Sequence, residues 1–228
     1  MHSDNFHNKA GLDFHVRTTM HEGMYSYIDS AAVRVGEHVV EIQNGKVIVN
    51  KKEHKDDELP LSFGQYDLAL LKQQVDKDGN VIRRSYILKL DETSAMEFKF
   101  YKEFMTFDLI GHHEFTDAAG LLGSYPRGDM ISRSGEEMNR FEDFGFEWQV
   151  GPSDAKLFSD LRAPQLPYER CRIPEQQTAG AGRRKLRGQN AKLLSAAQKA
   201  CASQNGNDFS LCVEDVMMTG DLEMAAEW

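Results

Sequence analysis

The stretch Val39-Val40-Glu41-Ile42-Gln43-Asn44-Gly45-Lys46-Val47-Ile48-Val49 decides the fold. Two short runs rich in β-branched residues flank an Asn-Gly pair. Asn-Gly favours a tight two-residue hairpin turn of type I′, whose twist suits a β-ribbon. Outward from this hairpin the same texture continues. Leu12, Phe14 and Val16 alternate with Asp13, His15 and Arg17, the period of a half-buried strand. Residues 25–28 and 31–35 predict the strand between, with a kink at Asp29-Ser30. Residues 51–58 are charged and predict a connector. Residues 66–75 and 81–90 predict a second hairpin around Asp76-Lys77-Asp78-Gly79-Asn80. Met96, Phe98 and Phe100 alternate with Glu97, Lys99 and Tyr101, and residues 104–110 follow. Short strands with frequent turn signals predict a mainly β protein, an antiparallel β-sandwich or barrel-like domain.

Beyond Gly111 the texture changes. Ala118-Ala119-Gly120-Leu121-Leu122-Gly123 is small and apolar, and a polar loop over 124–139 follows. Phe141-Glu142-Asp143-Phe144-Gly145-Phe146-Glu147-Trp148-Gln149-Val150 is aromatic enough to plug a core edge. Residues 152–190 hold Pro152, Pro164, Pro167 and Pro174 and a Gly/Ala/Arg tract, and they read as a linker. Helical composition begins at Ala191, with further helices expected over 209–216 and 222–228. The expected division is a β domain over 1–151, a linker over 152–190 and a small α-helical tail over 191–228.

Composition excludes several classes. The chain has 228 residues, a net charge of −9, 40% hydrophobic and 28% charged residues. This composition is neither that of a disordered tail nor that of a membrane bundle. No apolar run approaches the ~20 residues of a spanning helix. The acidic balance argues against nucleic-acid binding. Three cysteines are too few for a disulfide-scaffold miniprotein. The first seven residues lack the basic and apolar regions of a secretory signal.

Several constellations invite a chemical reading. His112-His113-Glu114 with Asp117 offers imidazole and carboxylate, the donors zinc prefers, but adjacent strand residues face opposite ways, so a polar turn is the simpler reading. His21-Glu22-Gly23-Met24-Tyr25 lacks the second histidine of a zincin helix. Gly120 to Ser124 lacks the Lys-Ser/Thr of a phosphate loop. The carboxylate pairs at Asp56-Asp57-Glu58, Asp91-Glu92 and Glu136-Glu137 are expected in exposed connectors, which do not make a glycosidase dyad. Arg127-Gly128-Asp129 spells a tripeptide read by some adhesion receptors, or is simply a polar turn. The tract with Arg183, Arg184, Lys185 and Arg187 reads as a processing site, a basic patch or a solvated charge run. Cys201 and Cys212 flank Asn205-Gly206-Asn207-Asp208, a spacing that suits one disulfide stapling a helical hairpin. Two buried free thiols are the other reading. Cys171 is left over.

Three segments, in this order, resemble the von Willebrand factor type D domain. Gly11 to Thr18 with Tyr25, Ile28 and Ala32 to Gly36 is similar to the family's mid-domain strands. Ala119-Gly120-Leu121-Leu122-Gly123-Ser124-Tyr125 resembles its "GLCGNY" stretch, and residues 144–150 resemble its closing "FGxxWxV" strand. The resemblance covers roughly residues 5–151. The family's opening "CDPHFxTFDG" strand is not matched, which implies that Met1 falls inside the domain and that Cys171 lost its partner or pairs between chains. Leu122 stands where the family has cysteine, and Ser124 where it has asparagine. The resemblance implies a calcium loop after this motif, with Ser124, Asp129, Glu136 and Glu137 as candidate oxygen ligands; a solvated acidic loop is the alternative. It also implies a non-enzymatic adhesion or matrix module, extracellular or at the cell surface, whose partners are other such proteins. The alternatives are a calcium-stabilised binding domain and an unrecognised hydrolase.

Overall fold

The computed structural model describes residues 1–4, 6, 10–21, 25–111, 115–151, 153–160 and 191–228. His112, His113 and Glu114, Cys171 and the tract with Arg183, Arg184, Lys185 and Arg187 lie outside the described residues. Two units are distinguished: Met1–Thr19 with Ser26–Cys171, and Met20–Tyr25 with Arg172–Trp228.

In chain order the strands are β1 (His2–Ser3), β2 (Leu12–His21), β3 (Tyr25–Val35), β4 (His38–Gln43), β5 (Lys46–Val49), β6 (Lys52–His54) and β7 (Leu61–Phe63). They continue with β8 (Tyr66–Val75), β9 (Val81–Lys89), β10 (Ala95–Tyr101), β11 (Phe104–Ile110), β12 (Ala119–Gly120) and β13 (Gly123–Ser124). The protein is mainly β, as expected. One antiparallel sheet runs β13-β12-β1-β2-β3-β4-β5-β6 and the other β11-β10-β9-β8-β7. Neither closes on itself, so the barrel-like alternative gives way to two facing sheets in a sandwich-like arrangement.

The core lies between these sheets. Leu12, Phe14, Val33, Val40, Ile42, Val47 and Val49 point inward from the first and meet Leu68, Tyr86, Leu88, Met96, Phe98 and Phe100 from the second. Phe14 packs edge-on against Phe107, with ring centroids 4.5 Å apart. Burying a side chain of this kind contributes on the order of 1.5–3 kcal/mol. Asn44 ties the sheets together at one end: its amide donates to the Lys102 carbonyl and its side-chain oxygen accepts from Arg84 at 2.9 Å.

The hairpins form where expected, with one correction of turn type. Val40 pairs with Val49 and Ile42 with Val47 across Asn44-Gly45, but only Gly45 has a positive φ, +76°. A type I′ turn needs positive φ at both central residues. That signature belongs instead to Asn50-Lys51, at φ 50° and 69°, which joins β5 to β6 where the predicted connector begins. Asn50 tolerates the left-handed region because its side chain is used there: its Oδ1 accepts from the Val39 amide at 3.0 Å. At the β8–β9 turn the Asp76 carboxylate accepts from the Asp78 and Asn80 amides at 2.8 and 2.9 Å. β3 runs through Asp29-Ser30, where a kink was expected, as one strand.

A second correction concerns residues 144–150. They do not form a closing strand. Phe141–Glu147 is a helix, α1, with Glu142 and Asp143 in its first turn, where carboxylates complement the helix dipole. Phe144 is buried, whereas Phe141 and Phe146 are exposed, a pattern no half-buried strand would give. Trp148 anchors the end by donating from Nε1 to the Ile131 carbonyl at 2.9 Å.

The second unit holds α2 (Ala191–Ala200) and α3 (Gly206–Thr219). Gly220 ends α3 in the left-handed conformation, φ 70°. Leu222–Glu227, predicted as a third helix, is a 3₁₀ segment capped by Asp221, which accepts from the Glu223 amide at 3.0 Å. Ala197, Cys201, Cys212, Val216, Met224 and Ala225 are buried. Among the described residues no helix is long and apolar enough to cross a membrane.

Candidate functional site

The β12–β13 hairpin and the loop after it carry the residues singled out for ion binding. Gly120 and Gly123 are there for close backbone approach. A Cβ on Gly120 would sit 2.7 Å from the Met1 Cα, and one on Gly123 only 2.4 Å from the Gly128 carbonyl. The loop folds back so that the Ser124 amide donates to the Asp129 carbonyl at 2.9 Å and the Gly128 amide to the Ser124 carbonyl at 2.6 Å. Ser124 and Asp129 are thus brought together by backbone. Glu136 and Glu137 belong to the next turn, where Ser132 accepts from the Glu136 amide at 3.0 Å and Ile131 bridges to Glu137.

The side chains do not make a calcium cage. The Asp129 carboxylate is engaged by Arg127 within its own turn, Nε to Oδ2 at 2.8 Å. Glu136 and Glu137 are exposed. The Ser124 hydroxyl is buried and finds no hydrogen-bond partner among the described residues. Calcium takes six to eight oxygens, and among the described residues no three of His, Cys, Asp and Glu are placed to share a metal ion. The donor set does not fit the ion. The same Arg127–Asp129 pair closes the Arg-Gly-Asp turn on itself.

Other polar groups that meet are consumed in structural pairs. Asp13 accepts from Arg34 Nε at 2.7 Å and from His2 Nδ1 at 2.5 Å. Burial alone would raise its pKa; the bonds from His2 and Arg34 outweigh that and hold the carboxyl below its ordinary value. Serines reach carboxylates directly: Ser3 bonds Asp117 and Ser62 bonds Asp67, each at 2.5 Å.

Asp56 corrects the expectation that the carboxylate pairs are all in exposed connectors. It accepts from the Tyr86 hydroxyl at 2.7 Å and lies 2.9 Å from Arg84 Nε, with both partners largely buried. Burial, and then the bond to Asp56, push the Tyr86 phenol well above its ordinary value, so it stays a donor. Asp91 is spent on its own turn, accepting from the Thr93 and Ser94 amides at 2.5 and 2.6 Å.

Cys201 and Cys212 are joined in a disulfide, their Cα atoms 6.0 Å apart, between the end of α2 and the middle of α3. Both are fully buried.

Three functional candidates carry no motif. Arg133 bonds the Glu147 and Gln149 carbonyls and pairs with Asp154 at 2.7 Å. Glu41 and Arg17 hold the segment 157–160 against the first sheet. Glu41 alone left a signal: a single carboxylate within an apolar strand, whose cross-strand partners are Ala32 and Ile48.

No protein-family model matches the chain, and no curated protein matches it as a relative.

Proposed function

We propose that the chain is a non-enzymatic module of the von Willebrand factor type D kind, acting in adhesion or matrix assembly outside the cell or at its surface through contacts with other proteins. The observation that supports this most is the Cys201–Cys212 bridge. Disulfides persist in oxidising compartments and are rare in reducing ones.

The test is a thiol count on the full chain recovered from a secreting host. The protein is alkylated in denaturant, with and without prior reduction, and mapped by mass spectrometry. Cys201 and Cys212 are expected to stay unmodified until reduced. Both modified without reduction would remove the extracellular reading. Protein-coated surfaces are then expected to retain cells or matrix proteins; coated surfaces that retain neither would remove the adhesion reading.

A further inference from the structure

The outward face of the first sheet holds a seat that the chain fills with its own residues. Register sets Ala32, Glu41 and Ile48 side by side on β3, β4 and β5. Their strand neighbours Val33, Val40, Ile42, Val47 and Val49 belong to the core, so this row faces away from it. Yet Ala32, Glu41 and Ile48 are 0, 2 and 7% exposed. Over Glu41 lies the segment 157–160. The Ser159 amide donates to Glu41 Oε1 at 3.0 Å and its hydroxyl to Oε2 at 3.2 Å. On β2, Arg17 stacks on the Phe158 ring, 4.0 Å from its centroid, and donates to the Asp160 carbonyl at 2.8 Å and carboxylate at 3.2 Å. Leu157 is buried.

We propose that this face is a docking site for an extended peptide carrying an aliphatic residue, an aromatic residue, Ser or Thr, and an acid in succession, and that Leu157-Phe158-Ser159-Asp160 occupies it in cis. Glu41 and Arg17 read three of these features, and the aliphatic residue follows Leu157, which is buried. Glu41 presents two acceptors to an amide and hydroxyl of one residue, which selects Ser or Thr. Arg17 offers a flat cationic face to an aromatic ring and its N–H groups to the acid that follows.

The choice of a carboxylate makes the cover exchangeable. An aliphatic residue at 41 would turn the cover into permanent core. A carboxylate uncovered by release is hydrated at once, so opening strands no buried charge. Among the described residues 153–160 adds no strand to the sheet, and Ser159 and Asp160 are themselves exposed. A few side-chain bonds therefore hold it, the signature of a low-energy local opening. A peptide in trans competes with a cis segment whose effective concentration is of millimolar order.

The experiment uses the full chain and a fluorescent peptide, Ala-Lys-Leu-Phe-Ser-Asp-Leu, followed by anisotropy. A variant with Leu157→Ser, Phe158→Ala and Asp160→Ala loosens the cis segment and leaves Arg17 and Glu41 intact. It is expected to bind the peptide at least about tenfold tighter than the unmodified chain. Adding Arg17→Ala, or replacing the peptide serine by alanine, is expected to reverse that gain. No binding by the variant, or binding indifferent to Arg17 and the serine, overturns the proposal. If the variant loses its cooperative melt, amide exchange in the unmodified chain decides. A Ser159 amide exchanging faster than that of Ile42 supports a releasable segment, and equal rates overturn it.

Discussion

The outward faces of the two sheets are covered to different degrees: one row is buried throughout, the other runs from buried Ser85 to exposed Thr106. In the first sheet the row Ala32, Glu41, Ile48 is buried, and the segment 157–160 bonds Glu41 at its centre. In the second, the row Ser85, Lys99, Thr106 runs across β9, β10 and β11, and its central charge stays near solvent. Lys99 pairs with Asp108 on the neighbouring strand and lies 3.9 Å from Glu97. Both rows place one charged residue at their centre. On the second it is balanced by other surface charges; on the first it is balanced by the amide and hydroxyl of a covering segment. Alternation of apolar and polar residues identifies the inward face of each sheet. Whether the outward face is wet depends on what comes back to cover it, which is a tertiary fact.

The largest effect that separates the faces is expected at Ile48. Ile48→Ala removes apolar atoms from a covered position and should lower stability by about 2–5 kcal/mol. Thr106→Ala, at a comparable place on the other sheet, should stay within about 0.5 kcal/mol. Urea unfolding of the full chain, followed through the sheet signal, checks both. Equal small losses would mean that the first face is open in solution.

The sequence itself shows where legibility stops. The β4–β5 and β8–β9 hairpins were readable because Asn44-Gly45 and Asp76 to Asn80 are local turn chemistry. The β5–β6 turn was not, because Asn50-Lys51 takes positive φ only with the help of a bond from Val39, eleven residues back. The family resemblance implied a strand over 144–150, yet Trp148 is drawn to Ile131 and the helix dipole favours Glu142 and Asp143, so the resemblance yields to local and tertiary contact. The loop acids Asp129, Glu136 and Glu137 were visible as residues, but the intraloop pairing of Asp129 with Arg127 was not. Glu41 shows its meaning only after register sets it between Ala32 and Ile48.

A smaller separation is expected from the charges. Glu41→Ala leaves the Ser159 amide and hydroxyl without their charged acceptor and should lower stability by about 1.5–3 kcal/mol. Lys99→Ala removes a surface pair and should change it by less than about 1 kcal/mol. Glu41→Gln keeps an acceptor for one of the two Ser159 donors and should fall between the Ala variant and the unmodified chain. Glu41→Gln as damaging as Glu41→Ala would show that charge, rather than hydrogen bonding, holds the segment.

The smallest expected effect concerns pH. Asp154 stands at the start of the covering segment and is gripped by Arg133 and by the Gly151 amide, at 2.7 and 2.6 Å. The bond from Arg133, then that from Gly151, hold its carboxyl below the ordinary value. A carboxylate with a depressed native pKa adds stability that is complete above its unfolded value, about 3.9, and is lost as pH falls through the native one. The covering segment should therefore be fully anchored at neutral pH and loosen only below about pH 4. Arg133→Gln should remove that dependence: its stability falls short of the unmodified chain's at pH 6, and the two converge in acid. Exchange of the Ser159 amide should follow the same curve, while the Thr106 amide on the uncovered sheet should not respond to the substitution. Parallel pH curves for the two chains would mean that Arg133 acts through the Glu147 and Gln149 carbonyls alone, and that the cover of the first sheet does not depend on the charge of Asp154.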